Sequence, residues 1–165
     1  MKSGRSLIVL ALAAAVAVSG GYAWFAPDQA PEVSFTTLEH GVVTPDALRG
    51  KVVLVNFWAT TCSVCVKEMP SIVALHEKFA SRGLETVAVA MPRDPPNRVV
   101  AYQRAERLPF KVAIDPNGEV ARRFDDVTLT PTTVLIDRRG RVLKRYVGEP
   151  DFAEVERLIE GALAA

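Results

Sequence analysis

Three features of this chain predict an α/β domain, built on a mixed sheet with helices on both faces and preceded by one N-terminal membrane-spanning segment. Apolar runs of strand length alternate with helical patterns through the middle of the chain. The only two cysteines stand together, directly after one of those runs. An uncharged stretch over residues 6–26, rich in Leu, Ile, Val and Ala, follows Lys2 and Arg5.

At about 1.5 Å per residue that stretch matches the ~30 Å hydrocarbon core of a bilayer. Residues 1–26 are therefore read as a membrane anchor, with Tyr22, Trp24 and Phe25 as an aromatic belt at the outer interface. The alternative is a cleaved signal peptide, for which Ala17-Val18-Ser19-Gly20 offers an imperfect cleavage site. Positive charge before the segment, with Asp28 and Glu32 after it, places the rest of the chain outside the cytoplasm. Residues 27–32, with Pro27 and Pro31, form a linker, and residues 33–165 form one domain large enough for a real core. A net charge of +1 with interspersed signs leaves no basic stripe, which sets nucleic acid aside as a partner.

Within the domain, Phe35-Thr36-Thr37-Leu38 and Gly41-Val42-Val43-Thr44 flank Glu39-His40 and predict a small hairpin. Leu48-Arg49-Gly50-Lys51 then turns into the run Val52-Val53-Leu54-Val55-Asn56-Phe57, continuous enough for a strand covered on both faces. Ile72, Leu75, His76 and Phe79 recur at helical spacing, and Gly83 stops that helix. Residues 84–90 form the next buried strand. Pro92, Pro95 and Pro96 break the chain before a helix over 97–107, with Val99, Val100 and Leu108 toward the core. A short strand over 111–114, a turn over 115–118 and a short helix over 119–124 follow. Residues 133–137 and 141–147 pair across Arg138-Arg139-Gly140, and Asp151 caps a last helix whose Phe152, Val155, Leu158 and Ile159 make an apolar face.

The chemistry lies in Cys62-Ser63-Val64-Cys65. A strand that delivers this pair onto the first turn of a helix puts Cys62 where free backbone N–H groups and the helix dipole stabilise a thiolate. Cys65, one turn further in, can attack a mixed disulfide formed at Cys62 and release the partner. A structural zinc site needs about four ligands, and only His40 and His76 could supplement the cysteines, at unsuitable spacing. A disulfide closing so small a loop removes little entropy from the unfolded chain, so stability is a poor reason to have one. Neither a metal nor another cofactor is expected. Glu68 lies three residues after Cys65 on the same helix. Buried there, its carboxyl would have a raised pKa and could relay a proton to or from Cys65; in the alternative it is a solvated helix residue.

Residues 50–70, Gly-Lys-Val-Val-Leu-Val-Asn-Phe-Trp-Ala-Thr-Thr-Cys-Ser-Val-Cys-Val-Lys-Glu-Met-Pro, together with Thr130-Pro131-Thr-Thr-Val-Leu-Ile-Asp137, resemble a known family. The chain from about Val33 to its C-terminus is similar to membrane-anchored thiol-disulfide oxidoreductases of the TlpA/ResA/CcmG (DsbE-like) type. The resemblance implies a thioredoxin-like fold with an N-terminal β-hairpin extension, tethered to the bacterial inner membrane with its catalytic domain in the periplasm or extracytoplasmic space. It implies that Cys62 is the nucleophile, Cys65 the resolving thiol, Pro131 a cis-proline facing the pair, and Glu68 an acidic residue near the site. Thr130 would sit against the disulfide, with Thr130 and Pro131 binding a substrate strand. Thr61 stands in the substrate-binding position usually held by Trp, which alters partner choice. Asn56 replaces the buried Asp of cytoplasmic thioredoxins, leaving Glu68 as the substitute proton relay.

The implied activity is exchange of disulfides with partner proteins, as a reductant in cytochrome c maturation or similar assembly, with electrons from a DsbD- or CcdA-type membrane protein. Two departures from other patterns sharpen this. Val55 stands where peroxiredoxins need Pro before Cys62, and Sco-type copper chaperones carry Cys-x-x-x-Cys and a later His that is missing here. Two alternatives stay open: a noncatalytic binding module or Cu(I) carrier, since soft thiolates favour Cu(I), and an oxidant that makes disulfides.

Overall fold

A computed structural model describes residues 28–39 and 41–165. The anchor expected over residues 1–26 lies outside the described residues, and among those described no helix is long and apolar enough to cross a membrane.

The predicted strands and helices form in the predicted order. A hairpin of β1 (Phe35–Thr36) and β2 (Val42–Val43) is followed by a short helix, α1 (Pro45–Leu48). The central strand β3 (Val52–Trp58) leads into α2 (Ser63–Phe79), and β4 (Leu84–Ala90) into α3 (Pro96–Glu106). Then come β5 (Lys111–Ile114), α4 (Glu119–Arg123), β6 (Thr132–Ile136), β7 (Val142–Val147) and α5 (Phe152–Ala164). Sequence reading missed α1, although Pro45 at its first turn, behind Thr44, is a recognised start signal. Gly83 ends the α2 region at φ 108°, a left-handed conformation that glycine adopts without strain.

The main sheet has the order β5-β4-β3-β6-β7, and the hairpin forms a separate two-stranded sheet. Strands β3, β4 and β5 run parallel, while β6 and β7 pair antiparallel, so the sheet is mixed as expected. Every residue of β3 and β4 is buried, because both strands are central and both of their faces are covered. Period-two alternation then divides the core. Leu54, Trp58, Ala88 and Leu135 pack with Ile72 and Phe79 of α2, Val99 of α3, and Val155 and Ile159 of α5. On the opposite face Val53, Val55, Phe57, Val87 and Val134 pack under Phe35, Val43 and Phe124 of the hairpin and α4 region. The Phe57 and Phe124 rings meet edge to face at 5.3 Å. Of the residues read as core-facing around α3, Val99 and Leu108 are buried, but Val100 is only half-buried on the helix flank.

The ends of the sheet differ. Strand β3 runs toward the cysteines, whereas the β6–β7 turn lies at the other end, since Ile136 pairs with Val53 and Thr132 with Phe57. Arg138 and Arg139 are exposed in that turn. A cavity of about 300 Å³ opens near it, between residues 29–33 and Val53, Val55 and Ile136. It is remote from the cysteine pair.

Asp151 caps α5 by accepting hydrogen bonds from the Ala153 and Glu154 N–H groups at 3.0 and 3.3 Å. Asp151→Ala is expected to lower unfolding free energy by about 1 kcal/mol, read as a reduced urea midpoint at unchanged slope. Asp151→Asn should recover most of that loss.

Candidate active site

The site assembles at the carboxyl end of β3. After Trp58 a short loop brings the chain to Cys62, which has extended backbone angles (φ −90°, ψ 104°) and occupies the N-cap of α2. Its sulfur accepts a hydrogen bond from the Cys65 N–H at 3.2 Å, taking the place of the oxygen that ordinarily caps a helix. A thiolate at that position receives both an N–H donor and the positive end of the helix dipole. Cys62 and Cys65 form a disulfide, with Cα atoms 5.2 Å apart. Cys62 is half-buried and Cys65 fully buried, so only the first sulfur is presented to a partner. Pro70 lies on the exposed side of α2, and the helix continues through it.

The opposing wall comes from the start of β6. The Thr130–Pro131 peptide bond is cis, and the Thr130 carbonyl oxygen lies 3.7 Å from Cys62 Sγ. Two contacts hold this segment: the Gly148 N–H donates to the Pro131 carbonyl at 2.8 Å, and the Thr132 hydroxyl donates to the Leu129 carbonyl at 2.8 Å. Pro131 is buried, Thr130 half-buried and Thr61 exposed. Leu129 and Val147 flank the segment with 63% and 62% of their surface exposed, and Val64 lies exposed between the cysteines. Three exposed apolar side chains thus border the disulfide alongside the polar Thr61 and Thr130.

Beneath the pair lies a polar cluster. Glu68, three residues after Cys65, is 1% exposed, so it is not the solvated helix residue of the alternative reading. Its Oε1 accepts a hydrogen bond from Asn56 Nδ2 at 3.0 Å, and the same amide donates to Thr133 Oγ1 at 3.0 Å. Glu68 Oε2 and Asn56 Oδ1 are buried without a hydrogen-bond partner among the described residues. Burial pushes the Glu68 carboxyl up to about 7; the Asn56 hydrogen bond opposes the rise and the Glu149 carboxylate adds to it. The group can therefore carry or release a proton near neutral pH, beside the helical turn that holds Cys65.

One contact escaped sequence reading. Asp94, from the proline-rich loop after β4, is 7% exposed and accepts hydrogen bonds from both the backbone N–H and the hydroxyl of Thr60, each at 2.6 Å. The only local signal was an Asp among prolines, which by itself reads as a turn. Among the described residues no three His, Cys, Asp or Glu side chains converge as metal ligands.

With the geometry in hand, the kinship is plain. The family model described as Redoxin matches residues 26–159. This chain belongs to the Redoxin family. The thiol-disulfide oxidoreductase ResA of Bacillus cereus (strain ATCC 10987 / NRS 248) is 31% identical over 163 residues, covering 94% of this chain and 93% of that protein. The thioredoxin-like protein YneN of Bacillus subtilis (strain 168) is 33% identical over 134 residues, 80% of this chain and 77% of its own length. Among solved structures, a thiol:disulfide interchange protein of the thioredoxin family from Chlorobium tepidum TLS superposes with a TM-score of 0.75 at 30% identity, over 83% of this chain and 97% of that one. This Redoxin-family chain is accordingly a thioredoxin-like thiol-disulfide oxidoreductase of the ResA type, with its redox disulfide between Cys62 and Cys65.

The raised carboxyl has a stability consequence. Between the ordinary Glu value of 4.5 and about 7, the folded state holds a proton at Glu68 that the unfolded state has lost. Its contribution is full below pH ~4.5 and disappears as pH rises through ~7, amounting to roughly 3 kcal/mol. The stability difference between the wild type and Glu68→Gln, measured by urea denaturation at pH 4 and pH 8, should shift by that order in favour of the variant at high pH. A pH-independent difference would show that Glu68 does not titrate in this range.

Proposed function

We propose that this protein is a membrane-anchored reductant of disulfides in partner proteins, acting outside the cytoplasm. The observation that carries this reading is the half-buried Cys62 sulfur at the start of α2, beside the Thr130 carbonyl, with Cys65 buried behind it. In the dithiol state, the Cys62 thiolate attacks one sulfur of the partner's disulfide. A Cys62–partner bond forms, the partner's S–S bond breaks, and the leaving thiolate takes up a proton. Cys65 then loses its proton and attacks Cys62 Sγ, which closes the Cys62–Cys65 disulfide and releases the second partner thiol. Two electrons and two protons pass to the partner.

Each surrounding residue has a role in that sequence. Glu68, buried along the helix from Cys65, is positioned to accept the proton that Cys65 must lose. The backbone at Thr130 and Pro131 aligns an extended partner segment against the disulfide, and Thr61 borders the same surface in place of an aromatic. The exposed Leu129, Val147 and Val64 favour partners with apolar residues flanking their cysteines.

The buried Glu68 carboxyl supports the reductant direction. A buried acid near the pair disfavours additional negative charge on the thiols, and destabilising the reduced state makes the dithiol a stronger electron donor. Resetting the disulfide then requires a second reductant, assigned by the family resemblance to a membrane protein of the DsbD or CcdA type. The same resemblance implies a place in cytochrome c maturation or similar assembly. Lys2 and Arg5 before the apolar residues 6–26 support single-pass anchoring with the domain outside.

The decisive experiment is equilibration of the detergent-solubilised full chain in glutathione buffers. A reduction potential near −250 mV is expected, on the scale where thioredoxin is about −270 and DsbA about −120. A value near −120 mV would make the protein an oxidant, and failure to cycle the disulfide would favour a binding module. In the same assay Cys62→Ser should abolish exchange, while Cys65→Ser should accumulate a mixed disulfide visible on a nonreducing gel. Sodium carbonate extraction and N-terminal sequencing of the mature protein separate an anchor from a cleaved signal peptide.

A further inference from the structure

The geometry points to Asp94 as a positioning residue for the nucleophile: its carboxylate clamps the loop that presents Cys62, and its charge biases the cysteine pair toward the disulfide. The inference rests on the assignment of Cys62 as nucleophile and adds a determinant from a different part of the chain.

Residues 59–61 link the end of β3 to α2, and Thr61 within them is exposed. Within the loop itself, the Cys62 N–H donates to the Ala59 carbonyl at 3.1 Å. The remaining restraint comes from the segment between β4 and α3. There the Met91 N–H donates to the Trp58 carbonyl at 3.0 Å, and the Asp94 N–H donates to the Met91 carbonyl at 2.9 Å, closing a tight turn. From this turn Asp94 reaches Thr60 with both oxygens: Oδ2 accepts from the backbone N–H and Oδ1 from the hydroxyl, each at 2.6 Å. These are short, charge-assisted bonds. A two-point grip fixes the position of Thr60 and the orientation of its peptide, two residues before the reactive sulfur.

The grip also fixes a charge. Asp94 is 7% exposed, and no Lys or Arg among the described residues pairs with it. The Thr60 and Cys62 Cα atoms are at most about 7 Å apart along the chain. A carboxylate gripping the residue two before Cys62, with no cation paired to it, opposes a thiolate there. The disulfide is neutral and escapes this repulsion, so the charge disfavours only the reduced state and makes the dithiol a better electron donor.

Asp94→Asn separates charge from clamp, since its amide oxygen still accepts from the Thr60 N–H. In the full chain, the expected result is an equilibrium with glutathione moved at least threefold toward the dithiol, with faster alkylation of Cys62 in the reduced protein at fixed pH. Asp125→Asn, which neutralises an exposed carboxylate elsewhere, should move neither quantity. Thr60→Val keeps the charge and loosens the clamp; it should leave the equilibrium within twofold of wild type and lower the rate of exchange with a protein disulfide. An unchanged equilibrium and alkylation rate in Asp94→Asn would overturn the inference, as would an equal shift in Asp125→Asn. Those results leave wild-type exchange intact, which distinguishes them from failure of the nucleophile assignment. Exchange that survives Cys62→Ser would overturn both.

Discussion

The register of β3 between its two neighbours is the constraint on which the rest of the site depends. This strand is buried along its whole length and pairs with β4 on one side and β6 on the other. Its last residues, Phe57 and Trp58, lie opposite Thr132 and Ala90. That pairing places three separate segments at one end of the sheet: the cysteine loop after Trp58, the Asp94 turn after Ala90 and the Thr130–Pro131 bond before Thr132. A one-residue slip would exchange the two faces of the strand. Asn56 would leave Glu68, and Phe57 would leave the aromatic contact with Phe124.

Burial of Asn56 and Glu68 in that register has a cost. A buried polar group without its full set of hydrogen bonds costs about 1–3 kcal/mol, and this cluster leaves one oxygen of each residue without a protein partner among the described residues. An apolar pair would pack the same layer of the core more simply. Retaining an acid there places a titratable group with a pKa near neutrality on the helix of Cys65, and disulfide closure as proposed requires a proton to leave that thiol.

In the proposed mechanism, opposed electrostatic influences meet at Cys62. The N–H of Cys65 and the dipole of α2 favour a thiolate, while the carboxyl groups of Glu68 and Asp94 disfavour further negative charge nearby. In that proposal, the balance sets both the nucleophilicity of Cys62 and the stability of its disulfide. Its two sides come from different structural levels. The helix terminus is local, produced by the strand-loop-helix order around the cysteines, whereas Asp94 is brought in across the sheet from a loop 34 residues away in sequence.

Local chemistry made much of the protein legible in its sequence. Continuous apolar runs marked the buried strands β3 and β4, helical spacing from Ile72 to Phe79 marked α2, Asp151 marked the start of α5, and Cys-Ser-Val-Cys after a strand marked the redox pair. These signals depend on periodicity, caps and side-chain reactivity, all of which act over a few residues. Glu68 could be singled out from its helical offset alone, but its burial and raised pKa depend on Asn56 lying inward on β3 and on the sheet closing over both. The Asp94 clamp had no sequence signal, because a carboxylate in a proline-rich loop looks like a turn residue until the β3–β4 pairing aims it at Thr60. The sequence by itself determined most of the elements and the reactive group. Tertiary structure alone decided which distant side chains surround that group, because pKa and loop position depend on neighbours in space rather than along the chain.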